Sequence, residues 1–113
     1  MAFPCNQFAD QEPGDNEEII KTARGKFGAE FPILEKCDVN GSNCNEVWKY
    51  LRAKSELYDE KKKRAKEIPW NFAKFMVAAD GTVLKYFNPR VDPVSTIGFI
   101  EGYLNSATGQ TVS

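Results

Sequence analysis

The dipeptide Asp80-Gly81 constrains the fold more than any other feature of this 113-residue sequence. Asp-Gly between two extended runs is a strong signal for a β-hairpin, because the tight turn needs positive φ angles. The run before it, residues 71–78, contains the apolar triplet FMV, and the run over 82–87 follows it. We therefore expect two antiparallel strands, with the strand over 71–78 well buried.

Three helices are predicted from capping patterns and apolar periodicity. The first starts at Asp15 and stops at Gly28, the second starts near Asn43, and the third starts at Asp92 with a proline in its first turn. The apolar faces expected to pack are, in order, Ile19, Ala23 and Phe27; Val47, Trp48 and Leu51; and Ile97, Ile100, Tyr103 and Leu104. The tail over 106–113 is expected to be mobile.

Extended segments precede and separate these helices. Residues 1–3 are interpreted as the end of a buried strand, and 31–39 as an edge strand, because Glu35 interrupts its apolar parity. Residues 55–69 are highly charged without periodicity, which predicts a loop or a frayed helix. The order strand, helix, strand, helix, hairpin, helix predicts one α/β domain over 1–105 with one parallel crossover, as in the later part of a thioredoxin-like fold.

The composition excludes several classes of function. The chain has no histidine, so imidazole catalysis and histidine-ligated metal sites are excluded within it. The net charge of −1 gives no attraction to nucleic acid, and no apolar run approaches the roughly 20 residues that span a bilayer. Cys5, Cys37 and Cys44 form no zinc-like pattern and are interpreted as small packed residues. Their odd number favours an intracellular protein, cytoplasmic or mitochondrial, over a secreted one.

Two polar clusters contain neutral hydrogen-bond donors. One is FPCNQF at 3–8, followed by QEPG at 11–14, and the other is WNF at 70–72. Amide and indole N–H groups stabilise a thiolate or selenolate by donating hydrogen bonds to it, and they do so without histidine. On this chemistry alone, the alternative that Gln11 caps a turn and Trp70 belongs to the core is the favoured interpretation.

Together with DVNG at 38–41, these strings resemble the signatures of the glutathione peroxidase family, in the family's order and at about its spacing. The resemblance extends to about Leu104 and is closest to the compact, phospholipid-hydroperoxide branch. It implies a thioredoxin-like fold and the thiol-dependent reduction of hydroperoxides. It implies that no cofactor is needed and that glutathione or a thioredoxin-type protein is the reducing co-substrate.

The resemblance also assigns roles to individual residues. Gln11, Trp70 and Asn71 match the three neighbours that hydrogen-bond to the attacking cysteine or selenocysteine. That attacking residue lies upstream of the first strand, and no residue of this chain matches it; Cys5 is not at its position. In many non-selenium members a resolving cysteine follows in the next helix, where this chain has Arg24. That departure argues against a two-cysteine, thioredoxin-dependent cycle.

An absent upstream segment would create a problem of stability. In the family's sheet it supplies the strand between residues 1–3 and the strand that begins near Asn71. Unpaired buried backbone groups cost about 1–3 kcal/mol each, against a net stability of about 5–15 kcal/mol. Three hypotheses stay open: an N-terminally truncated piece of a complete peroxidase, which we favour; a strand supplied by another chain; or an inactive remnant that is a structural subunit of a larger assembly.

Overall fold

The computed structural model describes residues 1–107 and divides into two compact units, Met1–Asn71 and Phe72–Ser113. Each unit is described by itself below. The mobile tail predicted over 106–113 lies outside the described residues from position 108 onwards.

The first unit contains two helices and a short hairpin. Its elements are α1 (Asn16–Lys21), a π-helical turn (Thr22–Lys26), α2 (Glu46–Ala53), β1 (Tyr58–Asp59) and β2 (Arg64–Ala65). The antiparallel pair β1–β2 lies in the charged stretch for which a loop or frayed helix was predicted, so that prediction is wrong. Asp59 causes the turn, because its carboxylate accepts the backbone N–H groups of Lys61 and Lys62.

The helix boundaries follow from local capping. Asp15 caps α1 by accepting a backbone N–H three residues on, which confirms the predicted start. Gly28 has φ 67°, the left-handed conformation that ends helices at glycine, and it confirms the predicted stop. The cap of α2 is Asn45, two residues later than the predicted Asn43, and its side chain accepts the N–H of Val47.

The extended segments of this unit pair only at isolated points. Ala2 forms a parallel bridge with Ile33, which agrees with the predicted crossover around α1. A regular ladder would next require an N–H at Pro4, and proline has none, so the edge strand predicted over 31–39 does not form as a continuous element. A second parallel bridge joins Asp38 to Cys44.

The core of the first unit gathers around α2 and the segments beside it. Its buried apolar side chains are Phe8, Ile19, Val39, Cys44, Trp48, Leu51, Leu57 and Ile68. Phe27 is 73% exposed instead of packed, because the π-helical turn changes the helical period and rotates this residue off the face of Ile19. Val47 of the predicted α2 stripe is also exposed.

The second unit begins with the predicted hairpin. Strands β3 (Lys74–Val77) and β4 (Val83–Phe87) are antiparallel, with a shift of register after Met76. Gly81 in the turn has φ 91°, as the Asp-Gly signal requires. The expectation that the first strand is well buried is wrong, since no residue of β3 is buried and Val77 is 44% exposed.

The last helix begins as predicted at Asp92, whose side chain caps a 3₁₀ turn over Pro93–Thr96 that leads into α3 (Ile97–Ala107). The four apolar residues expected to pack are exposed: Ile97, Ile100, Tyr103 and Leu104. Phe99 instead packs edge-on against Phe87, with the ring centroids 5.4 Å apart. Periodicity predicts an apolar face, but burial requires an element that packs on it.

Ala9 has φ 56°, a left-handed conformation that costs a residue with a Cβ atom about 1–2 kcal/mol. We expect Ala9→Gly to raise the free energy of unfolding by up to about 1 kcal/mol, because relief of strain exceeds the added freedom of the unfolded chain. Urea denaturation measures the change. Ala23→Gly, in the π-helical turn, is the control and should lower stability; a loss at position 9 as well would contradict the assignment of strain.

Candidate functional site

The polar loop over 5–14 is held in place by side chains at both of its edges. Asn6 Oδ1 accepts the backbone N–H of Glu12 at 2.9 Å, so the loop closes on itself. Lys36 Nζ donates to the carbonyl oxygens of Glu12 and Gly14 at 3.2 and 2.6 Å. These contacts fix the backbone on both sides of residue 11.

Gln7 joins this loop to the segment that carries the DVNG string. Its Oε1 accepts the backbone N–H groups of Val39 and Asn40 at 2.8 and 3.0 Å, and its Nε2 donates to the carbonyl of Asn40 at 2.9 Å. The side-chain amide therefore satisfies backbone groups as a neighbouring strand would.

Asn40 extends the connection to a third segment. It is 9% exposed, and its Nδ2 donates to the carbonyl of Ile68 at 2.9 Å while its Oδ1 accepts the N–H of Ile68 at 2.8 Å. Ile68 itself is 3% exposed. The sequence interpretation missed Gln7 and Asn40, because the burial of Asn40 and the partners of both side chains depend on segments far away in the sequence.

Two of the three predicted site residues are in direct contact. Asn71 Nδ2 donates to Gln11 Oε1 at 2.7 Å, although the two residues are 60 positions apart in the sequence. Trp70 packs against Phe8 with the ring centroids 5.7 Å apart and is 47% exposed. The structure thus brings Gln11 and Asn71 together, while Trp70, the neighbour of Asn71 in sequence, packs on Phe8 of the same loop region. The role of all three in a site stays a prediction.

The orientation of these side chains leaves donors available. In the Gln11–Asn71 contact the oxygen of Gln11 is the acceptor, so its NH₂ group and the second N–H of Asn71 are not used by that bond. Within the part of the chain that the structure describes, the indole N–H of Trp70 makes no hydrogen bond. The three side chains are neutral hydrogen-bond donors.

The three cysteines lie close to one another. Burial, and after it the negative charges of Cys5, Cys44 and Asp38, together raise the pKa of Cys37 from 9.0 to about 11. Cys44 precedes the cap of α2 instead of occupying a position in the helix, and its Sγ lies 3.1 Å from the carbonyl oxygen of Val39. The raised pKa keeps the Cys37 thiol protonated at neutral pH.

Other candidate groups are separate from this cluster. Arg24, which the sequence resemblance matches to the resolving cysteine, is exposed in the π-helical turn. Within residues 1–107 no three histidine, cysteine, aspartate or glutamate side chains are placed to hold a metal ion. In the same range no helix has the length and apolar character needed to cross a bilayer.

Comparison with known proteins gives a consistent result. The family model "Glutathione peroxidase" matches residues 1–52. The "Probable glutathione peroxidase 2" of Arabidopsis thaliana is 46% identical over 115 residues, covering 100% of this chain and 62% of the relative. The "Probable phospholipid hydroperoxide glutathione peroxidase" of Mesembryanthemum crystallinum is 50% identical over 96 residues, covering 84% of this chain and 53% of the relative.

The crystal structure of Trgpx in apo form matches with a TM-score of 0.56 and 18% identity, over 90% of this chain and 74% of that one. At this identity the likeness concerns the fold alone, and it confirms the predicted thioredoxin-like α/β fold. The chain spans 53% to 62% of the length of the two curated relatives described above.

We expect Asn40→Ala to lower the free energy of unfolding of the first unit by about 2–4 kcal/mol, because it leaves the buried N–H and C=O of Ile68 without partners. Urea denaturation followed by tryptophan fluorescence measures the loss. Asn43→Ala, at an exposed position, is the matched control and should change stability by less than about 0.5 kcal/mol. Equal effects of the two substitutions would contradict the role of Asn40.

The raised pKa of Cys37 predicts a dependence of stability on pH. The contribution of Cys37 to the free energy of unfolding is complete below pH 9, where its thiol is protonated in both the folded and the unfolded chain. This contribution is lost as the pH rises toward 11, because the unfolded chain releases the proton more readily than the folded one. Under reducing conditions, urea midpoints measured from pH 8 to 11 should therefore fall more steeply for the unsubstituted chain than for Cys37→Ser. Parallel curves would refute the shift.

Proposed function

Because the chain belongs to the glutathione peroxidase family, we propose that it supplies the hydrogen-bonding part of a site that reduces hydroperoxides with thiols. The observation that carries the proposal is the 2.7 Å contact between Asn71 and Gln11. It joins, at one place, amides from the two sequence strings whose resemblance to the family assigned them to the site.

In this proposal the attacking group is a cysteine thiolate or selenolate encoded outside residues 1–113. The NH₂ group of Gln11, the second N–H of Asn71 and the indole N–H of Trp70 donate hydrogen bonds to it and favour its ionised form. The donors are neutral, so they stabilise the anion without neutralising it.

The reaction divides into oxidation and reduction of this one atom. The thiolate attacks the terminal oxygen of a hydroperoxide, the O–O bond breaks, and the alkoxide leaves as an alcohol after it takes a proton, which gives a sulfenic acid. Two thiols then restore the enzyme: the first forms a mixed disulfide and releases water, and the second displaces the enzyme thiolate and forms a free disulfide.

The position of Arg24 bears on the reductant. A resolving cysteine at that place would allow an internal disulfide before a thioredoxin-type protein acts, and this chain has an exposed arginine there. We therefore propose a small thiol such as glutathione as the reductant, and a hydroperoxide of the kind named for the relatives as the oxidant.

The test uses the 113-residue chain by itself and the same chain joined to the preceding segment of the Arabidopsis relative, which supplies a nucleophile. Hydroperoxide-dependent oxidation of glutathione should occur only in the joined protein. Gln11→Ala or Asn71→Ala there should lower kcat/KM for the hydroperoxide by about 100- to 1000-fold, as loss of one preorganised donor does elsewhere. Asn43→Ala should retain full activity.

A second measurement separates a role in activation from a role in folding. The pH dependence of alkylation of the nucleophile should show a higher pKa in the Asn71→Ala protein, because a donor to the thiolate has been removed. Unchanged kinetics and an unchanged pKa in both variants would overturn the proposal. A folded but inactive joined protein would favour the structural-subunit hypothesis instead.

A further inference from the structure

Two thiols lie at the beginning of the polar loop, where Cys5 is next to the segment that contains Cys37. The backbone N–H of Cys37 donates to the carbonyl of Pro4 at 2.9 Å. Relative to the Ala2–Ile33 bridge this bond is shifted by one residue, so the second segment bulges between residues 34 and 37. In parallel pairing, the amide that donates to the carbonyl of one residue belongs to the residue opposite the next, so the Pro4–Cys37 bond brings Cys37 opposite Cys5.

The geometry of such a pair suits a disulfide. Residues opposite each other on adjacent parallel strands have their side chains on the same face. Their Cα atoms lie about 5 Å apart, the spacing of neighbouring strands, which is within the range of about 4.4–6.8 Å found for disulfides. A negative charge on Cys5 raises the pKa of Cys37, so the two sulfur atoms are close enough to interact electrostatically.

We propose that Cys5 and Cys37 form a dithiol that a small disulfide, such as oxidised glutathione, converts to an intrachain disulfide. This redox site lies within residues 1–71 and is independent of the proposed peroxidase function, because it uses neither the donor cluster nor a nucleophile outside the chain.

Cys5 is the thiol that reacts first. It is partly exposed, its Sγ lies 3.5 Å from both the backbone nitrogen and Oε1 of Gln7, and the raised pKa of Cys37 keeps the other thiol protonated at neutral pH. The Cys5 thiolate attacks one sulfur of the small disulfide, the S–S bond breaks, and one glutathione thiolate leaves. The Cys37 thiolate then attacks Cys5 Sγ and expels the second glutathione. Two protein thiols are oxidised and one small disulfide is reduced.

Cys44 is close by but unsuited to this reaction. It is buried, its Sγ donates to the carbonyl of Val39 at 3.1 Å, and Arg52 Nη1 lies 3.8 Å from the sulfur. The Asp38–Cys44 bridge places Cys44 opposite the residue after Cys37.

The surroundings of Cys37 make closure the slow step. Burial is the largest cause of its raised pKa of about 11, followed by the thiolate forms of Cys5 and Cys44 and by the Asp38 carboxylate; the charge of Cys5 is absent once Cys5 is in the mixed disulfide. The thiolate fraction therefore rises about tenfold per pH unit below 11, and the rate of closure should rise with it.

The test treats the reduced 113-residue chain with oxidised glutathione and digests it with a protease that cleaves before aspartate. The cuts at Asp10, Asp15, Asp38 and Asp59 put each cysteine on a different peptide. Mass spectrometry should find the peptide 1–9 linked to the peptide 15–37, and the conversion of the mixed disulfide to this link should accelerate about tenfold from pH 7 to pH 8.

Three variants and a denatured sample complete the experiment. Cys44→Ser should retain the link, whereas Cys37→Ser should keep glutathione on Cys5 without closure, and Cys5→Ser should form no link. The chain in urea should give mixed pairings, which shows that the folded geometry selects the pair. Links to Cys44 in the folded chain, stable glutathionylation of Cys5 in the unsubstituted chain, or identical pairings with and without urea would overturn the proposal.

Discussion

The buried amide of Asn40 is the contact on which the rest of the first unit depends. It joins the backbone of Ile68 through a donor and an acceptor at once, while its own backbone is held in the same way by Gln7. The segments around Gln7, Asn40 and Ile68 are far apart in the sequence, and these side-chain hydrogen bonds join them in place of strand pairing. Since a buried polar group without a partner is costly, such a network holds together or fails as a whole.

This network determines where the donor cluster forms. Trp70 and Asn71 follow Ile68 by two and three residues, so the anchoring of Ile68 fixes them closely. Gln11 is four residues from Gln7, and the intervening turn is closed over Asn6 and Glu12. Gln11 on one side of the cluster, and Trp70 and Asn71 on the other, thus lie within four residues of the Gln7–Asn40–Ile68 network. Donors held in place before an anion binds or forms stabilise it most effectively.

The same loop presents different chemistry at its two ends. Its first residues lie along the segment that contains Cys37, and its far side contacts Asn71. The thiol pair of Cys5 and Cys37 therefore lies at the beginning of the loop, and the donor cluster of Gln11, Trp70 and Asn71 lies at its other end. In the second unit, the exposed apolar face of α3 shows that a periodic pattern specifies a face but not what covers it.

The sequence by itself determined the local features: the caps at Asp15 and Asp92, the stop at Gly28 and the Asp80-Gly81 hairpin, because each depends on neighbouring residues alone. Motif resemblance also selected Gln11, Trp70 and Asn71. Only the tertiary structure decided that Gln11 meets Asn71, that Asn40 holds Ile68 and that the N–H of Cys37 meets the carbonyl of Pro4. Contacts between residues 28 to 60 positions apart depend on where the chain crosses itself, which no local pattern encodes.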